Sequence, residues 1–158
     1  MKNILFWATT LLVIGGVNFL IVKKEDTLAN GRTMLLELAP EDPRSLMQGD
    51  YMVLEYAIAE VVPESQLDDK GCIVVSLDEN DVAKFVRTHK GEGLQAGEHL
   101  LFYRNRGGLR LGAESFMFQE GHADLYSAAR YGELKVAESG ASVLVGLRGE
   151  GFKPLGRK

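Results

Sequence analysis

Ile4-Leu5-Phe6-Trp7-Ala8-Thr9-Thr10-Leu11-Leu12-Val13-Ile14-Gly15-Gly16-Val17-Asn18-Phe19-Leu20-Ile21-Val22 is a run of 19 residues without a charge. A helix of that length is about 28 Å long, close to the hydrocarbon thickness of a bilayer. Lys23 and Lys24 end the run abruptly, and Trp7 stands near its other end, where amphipathic rings favour the headgroup zone. The hydroxyls of Thr9 and Thr10 can bond back to the helix, and Asn18 lies near its end. A buried core helix is disfavoured, because such a helix is apolar all round and a terminus of this chain has little to cover it. A cleaved signal peptide is the stronger rival, since Met1-Lys2-Asn3 resembles a short positive n-region. Thr27-Leu28-Ala29 is a poor cleavage site, lying beyond two lysines and two acids. Residues 1–24 therefore read as a retained transmembrane anchor that meets the lipid bilayer through residues 4–22. Basic residues flank the run on both sides, so charge counting leaves orientation undecided. The very short N-terminus favours a cytoplasmic N-end and an extracytoplasmic bulk.

The remaining chain fits one domain of ordinary size within the 158 residues. Lys2, Lys23 and Lys24 set aside, 15 basic residues face all 22 acidic ones, so residues 25–158 carry a net charge of −7. That balance argues against general nucleic-acid binding, which depends on neutralising phosphates. The single cysteine, Cys72, excludes a disulfide framework and multi-cysteine metal sites. Residues 25–31, Glu25-Asp26-Thr27-Leu28-Ala29-Asn30-Gly31, read as a short polar tether, and residues 32–158 as the domain.

Strand signals dominate that domain. Apolar runs at Thr33–Leu38, Tyr51–Ile58, Ile73–Leu77, Lys84–Thr88, Glu98–Asn105, Leu109–Leu111, Glu114–Gln119, Glu133–Ala137 and Ser142–Leu147 are separated by clusters of turn formers. Asp78-Glu79-Asn80-Asp81, Arg106-Gly107-Gly108 and Glu138-Ser139-Gly140-Ala141 mark hairpins, the glycines supplying positive φ. His122–Arg130 alone reads as a helix, with Ala123, Tyr126 and Ala129 at helical spacing. The expected fold is mainly β, a β-rich α+β arrangement: one N-terminal transmembrane helix, then a compact antiparallel β domain with one short helix. Two packed layers or a partly closed barrel would bury such strands.

Asp42-Pro43-Arg44-Ser45-Leu46-Met47-Gln48-Gly49-Asp50-Tyr51-Met52-Val53-Leu54-Glu55-Tyr56 is the most informative run. Pro43 holds Asp42 extended, and Gly49-Asp50 reads as a tight turn delivering the chain into a strand. Period 2 puts Tyr51, Val53 and Glu55 on one face and Met52, Leu54 and Tyr56 on the other. Tyr51 and Tyr56 thus part company, and one of them reaches solvent or a groove.

Gly49-Asp50-Tyr51-x-x-Leu54-x-Tyr56 is similar, at five fixed letters over eight positions, to the signature of the GDYXXLXY family of bacterial membrane-anchored proteins. Asp42-Pro43-Arg44-Ser45-Leu46 looks like that family's lead-in. Phe116-Met117-Phe118-Gln119-Glu120-Gly121, with Ala123, Tyr126, Ala129 and Arg130-Tyr131-Gly132, resembles its C-terminal half. The resemblance spans most of residues 33–148. It implies an extracytoplasmic domain on a single N-terminal segment in the bacterial inner membrane, often beside or joined to a polytopic membrane protein. It implies no activity and no cofactor.

A signal-peptidase-like serine hydrolase also has a Gly-Asp turn entering a strand, but its nucleophile would fall at Pro40 or Glu41, and Ser45 stands too close to Gly49. Its lysine must be desolvated, whereas Lys70, Lys84, Lys90 and Lys135 lie in polar contexts. His89, His99 and His122 are scattered, with no metal-ligand spacing. Asp50 and Glu120 are the best acid–base pair, and a membrane-anchored hydrolase or ligand-binding enzyme built on them is the rival to a non-catalytic binding or assembly module. Such a site needs the two carboxyls within several ångströms; otherwise each caps backbone amides, Glu120 at the start of the following helix. Arg104 and Arg106 share a face at period 2, and Arg110 joins them across the turn. These arginines solvate a sheet edge, or meet lipid phosphates or an acidic partner surface. Glu120, Arg130 and Tyr131 complete the binding candidates.

Overall fold

The computed structural model describes residues 2–39, 47–48 and 51–156, with side chains for 6–39 and 51–156. Helix α1 runs from Lys2 to Asn30. Phe6–Asn30 is long and apolar enough to cross a membrane, and none of its apolar window is buried by the domain. Phe6, Trp7, Leu11, Leu12, Phe19 and Leu20 all stand open. Its polar side chains turn inward on the helix: the Thr9 and Thr10 hydroxyls both donate to the Phe6 carbonyl at 2.9 Å, and the Asn18 amide donates to the Ile14 carbonyl at 2.9 Å. The side-chain donors of the apolar stretch are thereby paired within the helix, as a lipid environment favours.

Among the described residues ten strands follow: β1 (Arg32–Glu37), β2 (Met47–Gln48), β3 (Tyr51–Val53), β4 (Lys70–Leu77), β5 (Ala83–His89), β6 (Glu98–Asn105), β7 (Leu109–Arg110), β8 (Ser115–Met117), β9 (Tyr131–Val136) and β10 (Ser142–Arg148). Among the described residues they form antiparallel sheets of order β1-β9-β10, β2-β3-β8 and β5-β4-β6-β7. The short helices are α2 (Ala57–Val61) and α3 (Ala123–Tyr126). A mainly β domain behind an apolar N-terminal helix is the observed architecture.

Period-2 alternation builds the core. Met34 and Leu36 of β1, Ile73 and Val75 of β4, Leu101 and Tyr103 of β6, and Leu134 and Val136 of β9 point to one shared interior. Met52, Leu54 and Tyr56 join them, while Tyr51 is exposed, so the alternation expected along 51–56 is observed. Cross-sheet bonds tie the layers: the Leu35 amide donates to the Asp81 carbonyl at 2.9 Å, and the Phe102 amide to the Gly140 carbonyl at 2.9 Å.

Three local readings need correction. The strand expected over Tyr51–Ile58 ends at Val53, and Ala57–Val61 is helical. The Leu54 amide bonds to the Glu114 carbonyl and the Ala39 amide to the Glu55 carbonyl, so the chain is tied to two different neighbours and peels off the ladder. The helix expected over His122–Arg130 closes at Tyr126, because the Arg130 amide is taken by the Arg148 carbonyl as the chain enters β9. Residues 25–30 of the tether are the last turns of α1. Gly49, Asp50 and the lead-in 40–46 lie outside the described residues; the strands that flank 49–50 pair antiparallel, Gln48 opposite Tyr51.

Candidate functional site

Around the family-like motif the geometry is structural. The Tyr56 ring is buried, and its hydroxyl donates to the Ala113 carbonyl at 2.7 Å. Burial pushes its phenol well above the usual range, and the Glu114 charge adds to that, so Tyr56 stays a protonated donor. Across from it lies Gly132 in β9: a Cβ there would come within 2.9 Å of Tyr56 Cε1 and 3.1 Å of its oxygen. Tyr56 therefore occupies the room that a side chain at 132 would need. Leu54 is buried beside it, and Leu38 bridges to Tyr56 from the other side. The motif tyrosine and leucine thus link the segment after β3 to β9 and to the loop before β8 within the shared core.

The loop after β7 carries the Ala113 carbonyl, and Glu114 shapes it. One carboxylate oxygen of Glu114 accepts both the Leu111 amide and, at 3.2 Å, the Gly112 amide. The same loop forms one wall of a groove of about 570 Å³, whose other walls are β6, the β6–β7 hairpin, the start of β10 and the end of α1. Arg104, Arg106, Arg110 and Lys24 all line it, over Phe102 and Leu111. The three arginines gather as their sequence spacing implies, because Arg104 stands directly opposite Arg110 in the β6–β7 ladder. Both hairpin glycines take positive φ, and the Gly108 amide is held by Asn105 Oδ1 at 3.1 Å. Lys24 comes from 80 residues away in sequence, and its ammonium donates to the Ser142 carbonyl at 3.1 Å. Sequence spacing carries no signal for that meeting.

Other candidates are dispersed. Glu120 is exposed, and the helix that follows is capped at His122 without a side-chain bond, so Glu120 is not its cap. Asp50, its partner in the enzymatic rival, lies outside the described residues. Arg130 is exposed at the start of β9, and half-buried Tyr131 stacks on Phe152 with ring centroids 5.1 Å apart. Neither joins the basic groove. Phe116 and Phe118 pack against Tyr126 at 5.0 and 5.4 Å between centroids, an aromatic cluster on the edge of the core. Ser45 lies outside the described residues; Lys70, Lys84 and Lys90 are exposed, and Lys135 donates to the Gly31 carbonyl at 3.2 Å.

His89, His99 and His122 stand apart at the end of β5, on β6 and before α3, and among the described residues no three His, Cys, Asp or Glu side chains converge on a metal-sized site. Desolvation, with Arg32 second, lowers the His99 pKa. Burial raises the Cys72 thiol, which faces the Ser139 carbonyl at 4.0 Å.

A feature the sequence reading missed is the ion pair of Glu133 and Arg148. Arg148 donates Nε and Nη2 to the two Glu133 oxygens at 3.1 and 3.0 Å and Nη1 to the Phe152 carbonyl at 3.2 Å. Glu133 is 6 % exposed, and its hydrogen bonds raise the Arg148 pKa. Glu133 shares β9 with Lys135, so the strand pattern alone does not mark it as the buried member of an ion pair.

No curated protein and no solved structure matches the chain significantly. The family model described as "GDYXXLXY protein" matches residues 13–147, most of the chain and every element that meets at Tyr56. The chain belongs to the GDYXXLXY family.

Proposed function

We propose that this protein is a single-pass inner-membrane protein whose domain works outside the cytoplasm as a non-catalytic binding or assembly module, partnering a polytopic membrane protein. The observation that carries the reading is the continuity of α1 with the domain. The helix passes from the apolar run through Lys23 and Lys24 to Asn30 without a break, so about 12 Å of helix separates Val22 from the domain. Thr27 is buried there and bonds back to the Lys23 carbonyl at 3.0 Å, and the Gly31 amide closes on the Thr27 carbonyl at 2.9 Å. Lys24 and Lys135 tie the helix end to β10 and β9. A domain clamped to its own anchor presents one constant face to whatever lies beside it in the bilayer. A groove of about 650 Å³ between Leu20–Asn30 and the β9–β10 hairpin opens at the level where the anchor leaves the apolar zone, within reach of a neighbouring membrane protein.

Topology is tested with a reporter cysteine at Met117, which is 81 % exposed, in a Cys72→Ser background. A membrane-impermeant maleimide should label intact spheroplasts fully; labelling only after lysis would reverse the orientation. Carbonate washing should leave the chain in the membrane. Purification in mild detergent should bring along a multi-spanning protein, and a lone monomer would count against the assembly role.

A further inference from the structure

We propose that the groove formed by Lys24, Arg104, Arg106 and Arg110 binds the phosphate of an anionic phospholipid headgroup. This rests on the membrane placement above, and four observations support it. First, cations gather here against the trend of the domain, whose acidic residues outnumber its basic ones. The groove is lined by four cationic side chains against one carboxylate, Glu114, one oxygen of which is taken by the Leu111 and Gly112 amides.

Second, Arg104 and Arg110 are directly opposed in a ladder, an arrangement that like charges disfavour unless an anion lies between them. Among the described residues neither guanidinium, nor that of Arg106, has an ion-pair partner. Guanidinium forks lining one groove suit the oxygens of a phosphate.

Third, Ser142 in the same wall holds its hydroxyl away from solvent without a hydrogen-bond partner, an unsatisfied polar group at the groove.

Fourth, the groove lies where a headgroup can reach it. Lys24 is two residues beyond the apolar run, and its ammonium is fixed at the groove by the Ser142 carbonyl. Phe102 and Leu111 give the wall an apolar strip for the glycerol backbone. An acidic protein surface would satisfy the charges equally well, but the place of Lys24 two residues beyond the apolar run puts the groove at headgroup level and favours the lipid.

The test uses the full-length chain in a neutral detergent and reads thermal stabilisation against concentration for four probes: dihexanoyl phosphatidylglycerol, dihexanoyl phosphatidylcholine, inorganic phosphate and an oligoglutamate peptide. Phosphatidylglycerol should bind at least about tenfold more tightly than the other three. The double variant Arg104→Gln/Arg110→Gln should lose that preference, about tenfold or more in affinity, while its ligand-free melting temperature holds or rises as the facing charges are removed. Should the double variant fail to fold, Arg106→Gln and Lys24→Gln, at exposed side chains, carry the test singly. Equal binding of phosphatidylcholine, or undiminished binding by the folded variants, overturns the proposal. Phosphate binding as tightly as the lipid would make this a soluble-anion site, and tighter binding of oligoglutamate would make it a protein contact; either result refutes the lipid assignment. Because the assay needs no membrane, a negative result here leaves the carbonate and labelling results to judge the anchor separately.

Discussion

Gly132→Ala should be felt mainly through Tyr56. The new methyl would stand 2.9 Å from Tyr56 Cε1 and 3.1 Å from the phenol oxygen, with Leu134 Cδ1 at 3.5 Å on its other side. Ordinary carbon contacts begin near 3.5 Å, so the ring must retreat by roughly half an ångström or more. It cannot do so freely, since it is buried and its hydroxyl is tied to the Ala113 carbonyl at 2.7 Å. Overpacking of this kind costs about 1–3 kcal/mol. Tyr56→Phe alone deletes the hydroxyl and leaves that carbonyl without its partner, also about 1–3 kcal/mol. The two losses should not add. With the oxygen gone, the ring is untied and one of the two closest contacts disappears, so the double variant should fall short of the sum by about 0.5 kcal/mol or more. Scanning calorimetry of the full-length protein in detergent measures this, each kcal/mol moving the midpoint by about 2–8 °C. An unchanged midpoint for Gly132→Ala, or strict additivity in the cycle, would refute the contact as the reason for glycine at 132.

Glu133→Gln should destabilise by about 1–3 kcal/mol in urea unfolding, since it leaves the Arg148 guanidinium without its carboxylate while that side chain is still 27 % exposed to water. Arg87→Gln has a pH signature. Arg87 donates to Glu98, one of the bonds being 3.0 Å, and that hydrogen bond is the main cause holding the Glu98 carboxyl below its usual range. A lowered folded-state pKa gives stability that is present above the unfolded value, about 4.3, and is lost as pH falls through the folded one. Wild type should therefore exceed the variant in melting temperature at neutral pH, with the gap closing in acid below about pH 4; a gap constant with pH would sink the assignment. Gly31→Ala places a methyl 2.3 Å from the Thr27 carbonyl, so the helix end must shift, and limited proteolysis should then cut between α1 and β1 faster than in wild type.

Much of the domain was legible from alternation and turn chemistry, because each strand is long enough to show a buried face or is bounded by glycine and acidic turns. Asp78-Glu79-Asn80-Asp81 turns as expected, with Asp78 Oδ1 accepting the Asn80 and Val82 amides at 2.8 and 2.9 Å. The failure at 54–61 has a tertiary origin: Tyr51–Ile58 alternates well, but the Leu54 amide donates to the Glu114 carbonyl and the Glu55 carbonyl accepts the Ala39 amide, partners that no local pattern encodes. The arginine trio was readable because one hairpin carries all three. Lys24 was read only as the flank of an apolar run, since its approach to Ser142 depends on how α1 docks. Gly132 and Tyr56 were each noticed as motif letters, and only packing shows that they are one contact.

With α1 seated in a bilayer as proposed above, its entry into the domain as an unbroken rod makes the anchor a crankshaft. Each residue added or removed between Val22 and Thr27 would swing the whole head by about 100° around the membrane normal and raise or lower it by about 1.5 Å. Substitutions on the lipid-facing side leave that bearing untouched, whereas insertions and deletions reset it. Selection on this chain should accordingly tolerate change of letters in the juxtamembrane segment far more readily than change of its length.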